Sequence, residues 1–195
     1  SFVWETYDYY FDQSGGYYGA KKGSEPLHIQ WNPMTDHVEV VNYSAGRAAG
    51  LTASVEILNL DGSKQWEKSA ALDSDEDSVA TPIHIDYPTG LSATHFLRLK
   101  LRRGAEVVSE NFYLRGTEEM VSKQELPRFL GGGHAPLGYN LTALRTLPKV
   151  AVEARTQVER SSGGWVLTTE LYNPSKTPAL MVRVKPVRAQ SGDRI

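Results

Sequence analysis

The chain of 195 residues contains no cysteine. Disulfides, thiolate metal sites and cysteine nucleophiles are therefore excluded together. The compartment stays open, because exported bacterial proteins also avoid cysteine. Charge of one sign is missing too. Lys and Arg number 21 against 23 Asp and Glu, a net charge of -2. Neither nucleic acid nor an anionic membrane would be attracted overall. No apolar run is long enough to span a bilayer. No signal peptide is visible, but a fragment beginning inside a larger protein would lack one in any case.

What is present is ordinary in bulk and unusual in place. A hydrophobic fraction of 40% and a charged fraction of 23% are those of a folded globular protein. The length suits one large domain or two of about 100 residues each. Ten tyrosines and four tryptophans supply flat amphipathic rings. Such rings suit sugar faces and sandwich cores equally.

Residues 1–26 hold the aromatic cluster Phe2, Trp4, Tyr7, Tyr9, Tyr10 and Phe11, then the break Gly15-Gly16. Residues 17–24 predict a short helix, weakened by Gly19 and Gly23 at about 1 kcal/mol each. Residues 27–115 read as a β-sandwich of about seven strands, the size and spacing of an immunoglobulin-like domain. The clearest strand covers residues 95–102, with Leu97, Leu99 and Leu101 on one face and Arg98, Lys100 and Arg102 on the other. Asp61-Gly62 marks a hairpin turn. Residues 116–139, with Pro127, Gly131-Gly132-Gly133 and Pro136, read as a linker.

Residues 140–195 predict three strands with one apolar face. Val150, Val152, Ala154, Thr156 and Val158 alternate with polar partners, then Trp165, Leu167, Thr169 and Leu171, then Leu180, Val182 and Val184. Three strands cannot cover that face alone. The expectation is an incomplete second β-sandwich whose remaining strands lie beyond this chain.

Three groups of residues carry a family resemblance. They are Ser1 with Tyr7-Asp8-Tyr9-Tyr10, then Gly16-Tyr17-Tyr18-Gly19-Ala20-Lys21-Lys22, then Glu25-Pro26-Leu27-His28-Ile29-Gln30. Weaker matches are Val40-Val41-Asn42, Asn111-Phe112-Tyr113, Tyr139-Asn140-Leu141 and Leu171-Tyr172-Asn173-Pro174. Together they resemble glycoside hydrolase family 2, in the branch of β-mannosidases, mannosylglycoprotein endo-β-mannosidases and exo-β-glucosaminidases. The resemblance implies a mainly β chain: the tail of a (β/α)8 barrel, an immunoglobulin-like sandwich and the first strands of a second sandwich.

It also implies a retaining glycosidase with two catalytic glutamates. Both map upstream of residue 1, so no catalytic residue is expected in this chain. Glu5 and Asp8 suggest a carboxylate pair, but Glu5 does not fall where the family places its catalytic acid. Trp4 is the candidate substrate-lining residue, since loops at the C-terminal ends of barrel strands build such pockets. Packing between barrel and sandwich is the competing reading for Trp4. It is the reading for Tyr7, Tyr9, Tyr17 and Tyr18. Lys21 and Lys22 read as a solvated helix face. The implied partners are the rest of the parent enzyme and a β-linked sugar, with mannose favoured over glucosamine.

No cofactor and no metal are expected. Asp73, Asp75 and Asp77 imitate the start of a calcium loop, but Ser78 and His84 stand where glycine and an acid belong. Histidines at 28, 37, 84, 95 and 134 show no metal-ligand spacing. Asn42-Tyr43-Ser44 and Asn140-Leu141-Thr142 are formal glycosylation sequons. A free-standing carbohydrate-binding sandwich and a purely structural module are the alternatives to an accessory part of a glycosidase.

Overall fold

A computed structural model describes residues 6–118, 138–187 and 190. The chain divides into two compact units, Ser1–Arg145 and Thr146–Ile195. Among the described residues, no helix is long and apolar enough to cross a membrane.

The first unit opens with one helix, α1 (Gly15–Gly23), and continues into seven strands. These are β1 (Leu27–Asn32), β2 (His37–Asn42), β3 (Ala48–Asn59), β4 (Lys64–Ser74), β5 (Ser78–His84), β6 (Thr94–Arg103) and β7 (Glu106–Gly116). They form a three-stranded sheet, β1-β2-β5, and a four-stranded sheet, β4-β3-β6-β7. All pairings are antiparallel. The chain changes sheets from β2 to β3, from β4 to β5 and from β5 to β6. This is the immunoglobulin-like sandwich that the strand spacing predicts.

Alternation decides which residues meet inside. Ile29, Val38, Val40 and Ile83 face inward from one sheet. Ala53, Val55, Ile57, Leu97, Leu99 and Leu101 face them from the other. Each fully buried aliphatic side chain stabilises the fold by ~1.5–3 kcal/mol. The hairpin between β3 and β4 turns at Gly62, whose φ of 86° suits a residue without a Cβ. The Asp61 carboxylate accepts the Ser63 amide there at 2.9 Å.

Asn42 closes the end of β2. Its side chain is fully buried and donates to the carbonyls of Gly46, Ser74 and Asp75 at 3.0–3.1 Å. Its oxygen accepts from the backbone and hydroxyl of Ser44. The first sequon is therefore a structural pin, with its amide committed to protein carbonyls.

The end of β7 receives residues 139 and 140. A Cβ on Gly116 would stand 2.8 Å from the Asn140 carbonyl oxygen. The Tyr139 ring stacks on Trp31, with centroids 6.3 Å apart. Arg115 lies 3.9 Å above the Tyr87 ring, beside buried His95. Burial pushes the Tyr87 hydroxyl up and the His95 imidazole down in pKa.

The second unit contains a hairpin of β8 (Glu153–Ser161) and β9 (Gly164–Tyr172). The third strand expected over residues 180–184 does not form. Met181 takes φ 56°, a left-handed conformation that breaks strand alternation between Leu180 and Val182. The following segment instead crosses a hairpin face, where Val182 and Val184 share a groove with Ala154, Leu167 and Leu171.

Two neighbouring substitutions separate core from surface. Leu99→Ala should lower stability by about 3 kcal/mol in urea unfolding, because it empties a fully buried site. Arg98→Ala, one residue earlier and facing out, should cost under about 1 kcal/mol.

Candidate functional site

Trp4 and Glu5 lie outside the described residues. The lead-in that follows them folds on itself. Asp8 accepts the amides of Tyr10 and Asp12 at 2.9 and 2.7 Å, so this carboxylate holds a turn. Tyr7 bridges to Gln13, and its ring meets Tyr17 at 5.3 Å. Between those anchors the tip projects outward. Tyr9 is 90% exposed, Tyr10 74% and Phe11 82%.

Beyond α1 the chain enters β1, and a polar network begins. Lys22 Nζ reaches Glu25 Oε1 at 2.6 Å, so Lys22 is ion-paired, unlike the solvated face expected of it. Glu25 Oε2 accepts from Ser109 Oγ at 2.6 Å and from His28 Nδ1 at 3.2 Å. Because a carboxylate only accepts, His28 carries its proton on Nδ1. Nε2 then accepts from the Asn111 amide at 3.5 Å. Burial pushes the Glu25 carboxyl up, yet the donors Lys22, Ser109 and His28 outweigh it and hold it below the usual carboxylate range.

The network continues as a seam. Ser109, Asn111 and Tyr113 are alternate residues of β7 and share a face. Ser109 Oγ accepts the Ile29 amide at 3.2 Å. Asn111 donates to the Ile29 carbonyl at 3.3 Å and to Tyr113 Oη at 2.8 Å. Tyr113 Oη accepts the Trp31 amide at 3.3 Å. Side chains of one sheet thus satisfy the free backbone edge of the other.

A groove of about 690 Å³ lies beside this seam. Tyr18 and Gly19 of α1, Gln30 of β1, Arg98 of β6 and Phe112 of β7 line it. Tyr18 is 54% and Phe112 44% exposed, leaving aromatic surface to the groove. Arg98 is held by Glu56 at 2.5 Å. Glu25 is unsuited to act as a general acid, which needs a raised pKa, and both its oxygens are occupied.

Of the acids that imitate a calcium loop, Asp73 and Asp75 both lie against Arg47. Asp73 accepts the Gly50 amide at 2.8 Å and Arg47 at 2.6 Å. Asn140 donates to Glu118 at 2.8 Å. Lys22, Glu25, His28, Asn111 and Tyr113 of the seam lie in segments that carry the family resemblance, as do Asn42 at the end of β2 and Tyr139 beside Trp31.

Fold and site define an immunoglobulin-like β-sandwich with a sealed polar seam and an exposed aromatic lead-in. No protein-family model matches the chain. An exo-β-D-glucosaminidase of Streptomyces avermitilis is 32% identical over 94% of this chain and 21% of its own length. A mannosylglycoprotein endo-β-mannosidase of Lilium longiflorum is 32% identical over 58% of this chain and 13% of its own. The crystal structure of the Amycolatopsis orientalis exo-chitosanase CsxA superposes with a TM-score of 0.81 at 30% identity, over 98% of this chain and 23% of that one. The chain belongs to glycoside hydrolase family 2, in the branch of these glucosaminidases and endo-mannosidases. It spans about a fifth of the length of the relatives that cover it almost fully.

The pH dependence of the seam follows from Glu25. Its native pKa is lowered, so its stabilisation is present above the ordinary carboxylate value of about 4.3 and is lost as pH falls through the native value. Glu25→Gln should therefore cost about 1–2 kcal/mol at pH 7. In urea unfolding followed across pH, the gap between Glu25→Gln and the unsubstituted chain should shrink below about pH 4.

Proposed function

We propose that this chain is the accessory β-sandwich portion of a retaining family 2 glycoside hydrolase. It buttresses the catalytic barrel and shapes one wall of the substrate entrance. In this reading residues 1–26 are the tail of the barrel, 27–115 the sandwich, 116–139 a linker and 140–195 an incomplete second sandwich. The carrying observation is the exposed tip Tyr9-Tyr10-Phe11. A chain does not ordinarily leave three adjacent aromatic rings to water, and such a patch marks a docking surface. The catalytic barrel is its occupant, and Trp4, just upstream, lines the substrate pocket.

The acid/base and nucleophile carboxylates of the retaining reaction come from the barrel. Of the two sugars, a β-D-glucosaminide is favoured over a β-mannoside. The relatives aligned along nearly the whole chain are exo-β-D-glucosaminidases, whereas the endo-β-mannosidase covers 58% of it. A second reading rests on the groove. Tyr18 and Phe112 give the sandwich a sugar-sized aromatic surface of its own, as in a carbohydrate-binding module.

The test uses the whole enzyme. kcat/KM for an aryl β-D-glucosaminide should exceed that for the β-D-mannoside by at least about tenfold, since a site built for an amino group rejects its absence. The reverse order would restore the mannoside reading. Tyr9→Ser with Phe11→Ser should lower the Tm of the whole enzyme by several degrees without shifting the unfolding midpoint of the isolated chain. A Phe112→Ala variant that alone abolishes binding of a glucosamine oligomer would favour the second reading.

A further inference from the structure

The sandwich pairs two histidines that stand far apart in the sequence. β2 and β5 run antiparallel, and their register places His37 directly opposite His84. Both lie on the outer face of the three-stranded sheet, because their neighbours Val38 and Ile83 point into the core. The two rings meet with centroids 4.9 Å apart and planes at 72°.

Each ring is oriented by an acceptor. His37 Nδ1 lies 2.8 Å from the Thr35 carbonyl oxygen. His84 Nδ1 lies 2.9 Å from Asp86 Oδ1. A carbonyl and a carboxylate cannot donate, so both Nδ1 atoms carry the proton. Both Nε2 atoms then keep a lone pair. Among the described residues, no hydrogen bond engages either one. An imidazole fixed through Nδ1–H to a carbonyl or carboxylate is the arrangement that orients metal-binding histidines.

The geometry points to a surface divalent-metal site in which His37 and His84 ligate through Nε2 and water completes the shell. Imidazole donors select borderline ions such as Zn²⁺ over Ca²⁺ or Mg²⁺. Asp86 is a positioning residue, acting through the His84 ring. Its other oxygen lies 3.9 Å from Lys68 Nζ, which competes for the carboxylate and limits the gain. The site pins β2 to the last strand of its sheet, so metal binding should also stabilise the sandwich.

The probe is Zn²⁺ added to the full 195-residue chain, read by titration calorimetry and by imidazole proton NMR. One equivalent should bind. The ring signals of His37 and His84 should move, while those of buried His28 and His95 stay. His37→Gln and His84→Gln should each weaken binding at least about tenfold, and Asp86→Asn by about tenfold. All three positions face solvent, so unfolding midpoints without zinc should not change. The inference is overturned if His37→Gln combined with His84→Gln binds Zn²⁺ as tightly as the unsubstituted chain. It is equally overturned if neither ring signal moves at millimolar Zn²⁺.

Discussion

The fold depends on how the free edge of β1 is closed. A sandwich of three and four strands leaves backbone groups unpaired along its outer strands, and each such group costs free energy when buried. Here Ser109, Asn111 and Tyr113 take the Ile29 and Trp31 groups that no strand reaches. Glu25 and His28 orient two of those three side chains. Lys22 ties the same network to α1. One chain of hydrogen bonds therefore fixes the sheets to each other and the lead-in to both. It also sets the position of the groove between α1 and β7.

Much of this architecture was legible in the sequence, because period-two alternation is set by burial. Leu97, Leu99 and Leu101 could hardly point anywhere but inward, and the seven strands fall where alternation and turn residues put them. The seam was half legible. His28 and Asn111 stood within recognisable segments, but a bond between residues 83 apart has no local signature. The pairing of Lys22 is hidden for the same reason: a lysine on a weak helix looks solvated until Glu25 comes into range. The pairing of His37 with His84 was invisible, since metal-ligand spacing along a chain says nothing about cross-strand register. The third strand expected in the second unit does not form. Alternation around Leu180 and Val184 was real, but Met181 turns the backbone away from a ladder.

Among the described residues of the seam, the acid is Glu25, which three donors hold ionised and which suits holding the structure rather than proton transfer. The aromatic lead-in carries a dense match to the family pattern and leaves Tyr9, Tyr10 and Phe11 to solvent. That combination fits a surface shaped to meet a partner, with the sandwich keeping it rigid.

The most direct measurement is hydrolysis by the 195-residue chain alone, with the whole parent enzyme assayed beside it. Aryl β-D-glucosaminide and β-D-mannoside should both be left intact by the chain, while the parent turns over one of them. Turnover by the chain at a rate near the parent's would contradict the account, because the catalytic carboxylates would then have to lie within these residues.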